Sequence, residues 1–546
     1  MTDTRIYSQD AYYIYNGSGT QNTGDGLPLQ VKSVTINNNG GVVVFNAART
    51  FETFSINAGS KANLGNGLIH NSSMLTLGGA GQPSGSYGHP ASGADYQSDL
   101  FFASSTGVIV NAPPAGTWLG LTADWNSAQN WIGGIPTSET SGRISAYTTY
   151  QPVISGPVMA ICGDLTINTG ASLTIAASGS ATIGTIVNNG TINLNSDENG
   201  IASLIVDNYS GTGTENIQIY LTGGGDEATY PWHYISSPVA TLSTDVFTAG
   251  DNPTYDLAAY YEQLGEGSQH EGWIAWDGWD YSLGNYPANP EDYYTFSNLE
   301  PGRGYNIYFY EPFIVKTFGG NLNTSGETES LSYSGTEDND DLKGWNLLGN
   351  PFSSSLNWDD IALTLPGGGE IDNAIYFTRN NARVSYVDGV GSAVDVTGNI
   401  PPMQGFFVKA NTAGQTLTLP ASARVHSPQN RYKGAGGVIP LLRLKIESRT
   451  STDETVIRFD DKARSEFDSR MDAYKFGKTG DNISLWTTIG NASYSINSIP
   501  FPETRTEVAV GINISETGNY ILKVTSLQGL ENYNVYLTDR STGFTA

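Results

Sequence analysis

The chain has 546 residues, with 53 acidic against 26 basic side chains and a formal net charge of -27 at pH 7. That charge repels a phosphate backbone and an anionic membrane surface, which argues against nucleic acid as a partner. The chain holds 65 glycines and 31 tyrosines, while only 14% of its residues are charged. Turn formers and aromatic residues therefore outweigh helix formers, which predicts an all-β protein of about three to five domains.

The single cysteine, Cys162, excludes a disulfide framework and a cysteine-rich zinc site. Its strand-like surroundings predict a buried and inert thiol. Residues 1–30 lack the basic start and apolar stretch of a signal peptide, and no apolar run reaches the roughly 18 residues of a membrane helix. We expect no membrane insertion.

The N-terminal part of the chain repeats short apolar segments separated by Asn and Gly. FSINAGSKANL at 54–64 matches LTINTGASLTI at 165–175, and ATI at 181 continues the pattern. Such strands, about eight residues apart, fit a parallel β-helix or a tight antiparallel meander, and the pattern does not choose between them. We expect a β-rich repetitive head or stalk end over residues 1–115 and β-solenoid-like rungs over residues 116–208.

Strict alternation in the second of these segments predicts which side chains face inward. Thr166 and Thr174 should face outward. The inward set is Leu165, Ile167, Leu173 and Ile175. Just upstream, the pair Trp125 and Trp131 is expected to pack as a cap on the solenoid, with sugar stacking as the alternative.

An internal duplication follows the solenoid. PWHYISSPV at 231–239 matches GWNLLGNPF at 344–352, and GRGYNIYFY at 302–310 matches MQGFFVKA at 403–410 in the same order. The duplication predicts a repeated β-module, with close backbone approach at the equivalent Gly304 and Gly405. The expected C-terminal domains are an aromatic-rich β-module over 209–330, its second copy over 331–435, and a β-sandwich of roughly seven strands over 436–546.

Three segments resemble one known family. GWNLLGNPFSSSLNWDDI at 344–361, IPPMQGFFVKAN at 400–411 and the region from 448 to 477 resemble the part that precedes the C-terminal sorting domain in large secreted proteins of the Bacteroidota. These proteins are cargo of the type IX secretion system and include gliding adhesins, surface proteins and degradative enzymes. Upstream, NWIGGIPTSET at 130–140 and LTINTGASLTI at 165–175 resemble the head of the same unit, so the resemblance covers roughly residues 115 to 546. It implies export by that machinery to the extracellular space or outer cell surface. The sorting domain itself is not found after VYLTDRSTGFTA, so this expectation depends on the neighbouring region.

Signatures of catalysis are few. The chain has five histidines and no H-E-x-x-H or G-x-S-x-G pattern, which argues against zinc and serine hydrolase mechanisms. The acidic run EDNDD offers hard oxygen ligands for calcium, and a solvated turn is the alternative. Its candidate ligands are Asp338, Asp340 and Asp341. We expect no other cofactor.

The densest aromatic cluster, WIAWDGWDYSLGNY, covers residues 273–286. Its candidate sugar-stacking residues are Trp273, Trp276 and Trp279, together with Tyr260 and Tyr261. Asp277 and Asp280 would accept hydrogen bonds from sugar hydroxyls. Because alternation sends the three tryptophans to different sides of a strand, some must lie on a loop. The competing interpretation is an insertion packed over its own sheet.

Together these features predict a non-enzymatic, extracellular or cell-surface structural or adhesion protein, of the gliding-adhesin or surface-protein kind. The alternative is a carbohydrate-binding protein of a polysaccharide-degrading system, and an enzyme with an unrecognised carboxylate pair ranks last. The expected partners are the type IX machinery during export, surface glycans, and further copies of the chain through exposed strand edges.

Overall fold

We describe the protein from a computed structural model. The described residues are 7–224, 232–248, 255–262, 272–279, 295–309, 311–334, 343–379, 382–426, 439–449, 451–476 and 483–545. Among these residues strands account for about 47% and helices for about 4%, so the all-β prediction is confirmed. The chain divides into two compact units, one of residues 1–219 with 317–319, and one of residues 220–316 with 320–546.

The first unit begins with stacked strands that run parallel. Its early strands are β1 (Tyr12–Tyr15), β2 (Gln21–Asn22), β3 (Gln30–Ile36), β4 (Val42–Val44), β5 (Thr50–Ile56), β6 (Lys61–Asn63), β7 (Ile69–Leu77), β8 (Ala80–Gly81), β9 (Gly85–Gly88), β10 (Tyr96–Gln97) and β11 (Val108–Asn111). Strands β1, β3, β5, β7 and β11 pair in parallel in one sheet, and β2, β4 and β6 do so in a second. The apolar core includes Phe45, Phe51 and Phe54, whose rings contact one another. This alternation between two sheets is the pattern of a β-solenoid.

The same pattern continues through the second half of the unit. Its strands are β12 (Gly142–Ile144), β13 (Val153–Ile154), β14 (Ala160–Ile167), β15 (Ser172–Ile175), β16 (Ser180–Asn188), β17 (Thr191–Leu194), β18 (Ser196–Asp197), β19 (Gly200–Ile201), β20 (Ser203–Gly211) and β21 (Thr214–Thr222). One sheet has the order β12-β14-β16-β20, and β13, β15, β17 and β21 follow one another in another sheet. All these neighbours are parallel, which decides for a solenoid over an antiparallel meander. Ala160 pairs with Ala181 and Ser180 with Ser203, a period of about 20 residues.

The predicted alternation inside the solenoid is confirmed. Leu165 and Leu173 are almost completely buried, as are Ile167 and Ile175, while Thr166 is half-exposed. Strands β14 and β15 belong to different sheets, so the short eight-residue spacing separates two faces of one turn. The longer period separates one turn from the next. Cys162 is buried within this stack, as predicted, and burial raises the pKa of its thiol to about 12.

Three tryptophans pack together before the second group of turns. Trp118, Trp125 and Trp131 are buried, and the Trp131 ring lies edge-on to the other two at 5.0 and 4.7 Å between ring centroids. Trp131 Nε1 donates to the carbonyl of Trp125, and Trp118 Nε1 donates to that of Tyr150. These side chains form part of the core, as expected from the prevalence of buried tryptophan.

The second unit contains the two duplicated modules. The first comprises β22 (His233–Ile235), β23 (Leu242–Ser243), α1 (Asp245–Thr248), β24 (Tyr255–Tyr260), β25 (Trp273–Ala275), β26 (Asn298–Leu299), β27 (Tyr305–Phe309) and β28 (Phe313–Phe318). The second comprises β29 (Glu327–Ser330), β30 (Trp345–Gly349), β31 (Ser355–Asn357), α2 (Trp358–Ala362), β32 (Ile375–Arg379), β33 (Ala382–Val387), β34 (Val390–Gly391), β35 (Asn399–Ile400), β36 (Gly405–Lys409), β37 (Thr416–Leu419) and β38 (Arg424–Val425).

The two modules share one strand order. The antiparallel sheet β22-β27-β24-β25 of the first corresponds to β30-β36-β32-β33 of the second, where β34 adds one more strand. Gly304 of the first module lies against Leu348 of the second, and Gly405 of the second lies against Tyr234 of the first; we call these two contacts the crossing of the modules. A Cβ at Gly304 would strike the backbone oxygen of Leu348, and one at Gly405 would lie 2.7 Å from the Cβ of Tyr234. Close backbone approach therefore explains both glycines, as the sequence predicts.

The C-terminal part of the second unit is one hydrogen-bonded sheet. Its strands are β39 (Leu441–Glu447), β40 (Thr452–Phe459), β41 (Ala473–Tyr474), β42 (Ile483–Ile489), β43 (Ala492–Ile499), β44 (Ala509–Ile514) and β45 (Ile521–Gln528). The order is β44-β42-β43-β40-β39-β45, with β41 paired to β43. One face contributes Leu441 and Val456 to a core shared with both modules, and the other carries Leu442, Leu444 and Leu485 in a separate cluster. The expected strands are present, but they join in a single sheet.

Candidate functional site

The structure divides the predicted aromatic cluster into two groups. Tyr260 and Trp273 lie opposite each other on β24 and β25, with their ring centroids 5.2 Å apart. Both are partly buried against Phe407 of the second module, at 5.1 Å for Tyr260 and 6.1 Å for Trp273. These two side chains help to hold the modules together, which matches the packing interpretation of the cluster.

The other tryptophans of the cluster lie in the turn that follows β25. Trp276 N–H donates to the carbonyl of Leu257, and Ala275 N–H donates to that of Trp279. The Asp277 carboxylate accepts a hydrogen bond from Trp279 N–H at 3.2 Å. Trp276 and Trp279 are each half-buried. Asp280 lies outside the described residues.

Tyr261, the fifth candidate, lies under an arginine. The guanidinium carbon of Arg303 lies 4.7 Å from the centre of the Tyr261 ring and 5.7 Å from that of Tyr305. A cation over an aromatic face is a stabilising contact that also occupies the ring surface a sugar would need. The structure therefore brings the five candidates into neighbouring elements, but it does not align them on one platform.

The predicted calcium ligands cannot be placed. Asp338, Asp340 and Asp341 all lie outside the described residues. In the part of the chain that is described, no group of three or more His, Cys, Asp and Glu side chains is arranged to hold a metal ion. The calcium site stays a prediction from the acidic run.

A polar trough that sequence reasoning missed runs across the solenoid. It has a volume of about 300 Å³ and crosses successive turns of the sheet that contains β14, β16 and β20. Asp164 pairs with Thr185, which pairs with Asn208, so a carboxylate, a hydroxyl and an amide form one row. Gly163 and Gly184 also line the trough, together with Asp207 of the next turn. Only the parallel register brings residues so distant in the sequence into one row.

Buried ionisable groups hold the C-terminal sheet together. Lys475 Nζ lies 2.5 Å from Asp453 Oδ2, and Leu485 N–H donates to the same oxygen. Burial raises the pKa of the Asp453 carboxyl, and the Lys475 ammonium opposes that shift. The Asp453 carboxylate thus links β40 to Leu485 of β42 and to Lys475, the residue after β41, and the buried pair offers no open face to a substrate.

Two further carboxylates are buried in the same unit. Asp472 accepts hydrogen bonds from the backbone N–H groups of Asp468 and Ser498, and burial raises the pKa of the Asp472 carboxyl to about 6. Asp372 accepts from the amide of Asn411, and burial likewise raises its pKa to about 6. Raised carboxyl pKa values occur at active sites and in structural networks alike. Since both side chains are completely buried, they belong to the packing of this unit.

The described residues thus define a class of protein: a parallel β-solenoid followed along the chain by duplicated antiparallel β-modules and a further β-sheet. No helix in the described ranges is both long and apolar enough to cross a membrane. The chain belongs to the family named Domain of unknown function (DUF8693), whose match covers residues 117–546. No curated protein and no solved structure matches the chain.

Proposed function

We propose that this chain is a non-catalytic structural or adhesion protein of the outer cell surface or extracellular space, exported by the type IX secretion system. The observation that supports this best is the solenoid of about 10 turns, whose stacked interior is filled by side chains. Such a stack is stiff along its axis, because each turn is hydrogen-bonded to the next. That property suits a spacer or a coat.

The side chains of the solenoid support the same proposal. Ile183 and Ile186 inside one turn are completely buried, and Ile183 pairs with Cys162 and Val206, which are buried in the turns before and after. Outward positions such as Thr166 and Thr182 carry short polar side chains. A filled interior with a polar exterior stabilises a rod and leaves binding to its surface and its loops.

Carbohydrate binding is the second candidate function. It is favoured by the half-buried indoles of Trp276 and Trp279 on a turn, since an exposed indole face stacks well on a sugar ring. The trough on the solenoid adds a row of groups that accept and donate hydrogen bonds to hydroxyls. In this case the chain would attach a cell or an enzyme complex to polysaccharide.

A retention experiment separates the two functions. Purified chain is incubated with insoluble polysaccharides and with a glycan array, beside the variants Trp276→Ala and Trp118→Phe. Trp118 is a buried tryptophan of the solenoid, so its variant controls for a general loss of indole. The structural proposal predicts no retention of any of the three. Retention that is lost only in Trp276→Ala would replace it with carbohydrate binding.

The adhesion part of the proposal has its own test. Beads coated with the chain are compared with beads coated with its heat-unfolded form, under flow, on bare surfaces and on layers of the source cells. We expect the folded chain to hold beads at shear that removes the unfolded control. Equal detachment of the two would leave a spacer or coat without adhesive action.

A further inference from the structure

The last sheet of the second unit has an apolar face, and on its two outer strands, β45 and β44, apolar side chains of this face are exposed to solvent. Val524 and Leu527 of β45 lie opposite Leu444 and Leu442 of β39, so they share the face of the cluster formed by those leucines. Yet Val524 is 53% exposed and Leu527 48% exposed. Large apolar side chains that remain in water beside an apolar cluster are a feature of interaction surfaces.

The opposite end of the same sheet repeats this arrangement. Ile512 and Ile514 of β44 lie opposite Leu485 and Ile483 of β42, which belong to the same cluster. Ile512 is 43% exposed and Ile514 39% exposed. The apolar cluster is therefore covered at its centre and open along both outer strands.

Strand β45 is also an edge of the sheet, and its pairing with β39 contains one register shift, between Arg443 and Leu444. Among the described residues its one neighbour in the sheet is β39, which leaves the far side of its backbone without a strand. Proteins usually protect such edges with charged side chains or proline. Residues 521–530 contain a single charge, Lys523, and its ammonium is paired with Glu447 at 2.6 Å.

The chain itself contains a segment that fits this edge. Residues 532–537 read NYNVYL and carry no charge; Asn532 lies in a turn, and residues 533–537 join no strand or helix in the described structure. Tyr533, Val535 and Leu537 are each exposed by about two fifths, and the Tyr533 ring lies 5.9 Å from that of Phe501. Their spacing of two would place the three side chains on one side if the segment formed a strand. A turn capped by Asp539 fixes the end of this segment through hydrogen bonds from Ser541 and Thr542.

We propose that residues 533–537 of one copy add as a strand to the β45 edge of a second copy, so that Tyr533, Val535 and Leu537 cover Val524 and Leu527. Strand addition supplies backbone hydrogen bonds for affinity, and alternate side chains supply the fit. Because donor and acceptor are different surfaces, a pair of copies still has one free donor segment and one free acceptor edge. The contact is heterologous, and it generates chains of copies rather than closed pairs. This inference does not depend on where the protein is located.

The test uses the full chain and two single variants, Val535→Asp in the donor and Val524→Asp in the acceptor. Both side chains are exposed, and thermal melts verify that each variant stays folded. Leu363→Asp is the matched control, since Leu363 is 86% exposed and far along the sequence from the sheet. Sedimentation velocity over a concentration series reports the association state.

We expect the unmodified chain and Leu363→Asp to form oligomers that grow with concentration, and each of the other variants to weaken association at least about tenfold. An equal mixture of Val535→Asp and Val524→Asp should form pairs and nothing larger. The first variant keeps only an intact acceptor edge and the second only an intact donor segment, so each pair uses up both. A synthetic peptide of residues 531–538 should cap the oligomers and shift them to monomer.

Several results would overturn the proposal. A chain that stays monomeric at its highest soluble concentration would do so, and so would oligomers that both aspartate variants leave unchanged. Loss of association in Ile512→Asp but not in Val524→Asp would assign the acceptor edge to β44 instead. Failure of the mixed variants to pair would show that the two surfaces do not meet.

Discussion

Gly302 and Met403 occupy equivalent positions in the two modules and make equivalent hydrogen bonds. The carbonyl oxygen of Gly302 accepts the N–H of Gly349 at 2.8 Å, and that of Met403 accepts the N–H of Ser236 at 2.8 Å. Both residues have a positive φ, 83° for Gly302 and 59° for Met403. The modules therefore cross through two matching contacts, as two copies related by an approximate twofold axis would.

The first prediction concerns this crossing. Gly302→Ala should lower the free energy of unfolding by about 1–2 kcal/mol, because an L side chain resists a positive φ and the added Cβ would meet the Glu329 carboxylate. Gly367→Ala is the control, since a Cβ there meets no neighbour and its φ is not positive. Urea unfolding measures both. Equal stability of the two variants would show that the crossing tolerates a side chain.

The second prediction tests the inward and outward positions of the solenoid. Leu173→Ala should destabilise the protein by about 2–5 kcal/mol, since it removes a buried side chain and leaves a cavity between stacked turns. Thr166→Ala, on an outward position of the same turn, should change stability by less than about 0.5 kcal/mol. Urea unfolding followed by circular dichroism gives both values. A larger effect at Thr166 would reverse the assigned faces.

The third prediction is an acid-sensitive histidine in the first unit. His70 is completely buried, its Nδ1 accepts the N–H of Arg49, and its Nε2 lies 2.9 Å from the carbonyl oxygen of Leu64. Burial lowers the pKa of His70 below its ordinary 6.5. As the pH falls below 6.5, the His70 imidazole therefore takes up a proton more readily in the unfolded chain than in the folded chain. Stability should decline there, by up to about 1.4 kcal/mol per pH unit.

Urea unfolding at a series of pH values measures this effect against His70→Gln. The glutamine side chain does not titrate, so the variant should lose the part of the pH dependence that begins near 6.5. Matching pH profiles for the two proteins would assign the acid sensitivity to other groups.

The fourth prediction concerns the buried Asp372, whose contribution to stability falls as the pH rises and not as it decreases. Its pKa of about 6 lies above the ordinary 3.8, so the folded chain favours the protonated carboxyl. The resulting stability is present below about pH 4 and is lost as the pH rises through 6. Asp372→Asn should therefore gain stability relative to the unmodified protein between pH 4 and 7, by up to about 3 kcal/mol. A difference that does not vary with pH would contradict a buried, titrating carboxyl.

The sequence predicts some of these features because residue types report on burial and turns. Alternation identified Leu165 and Leu173 as inward residues, and the duplicated sequence motifs identified Gly304 and Gly405 as equivalent positions. The choice between parallel and antiparallel strands left no such trace, because both arrangements bury the same alternate residues. Register between turns, which aligns Asp164 with Thr185, depends on backbone pairing alone.

The candidate site was predicted less completely. The segment from 273 to 279 was correctly located as rich in aromatic residues, but composition did not reveal that Trp273 packs on Phe407 while Trp276 lies on a turn. That division depends on the second module, whose contacts are distant in sequence. The crossing hydrogen bonds of Ser236 and Met403 involve backbone atoms, which any residue type provides.

The proposed function places this scaffold outside the cell, and one measurement tests that placement directly. Intact cells of the source organism are labelled with antibody raised against the chain, beside permeabilised cells and an antibody against a cytoplasmic protein. The account predicts strong labelling of intact cells that external protease removes, while the cytoplasmic control labels only after permeabilisation. Labelling of the chain that likewise appears only after permeabilisation would contradict it.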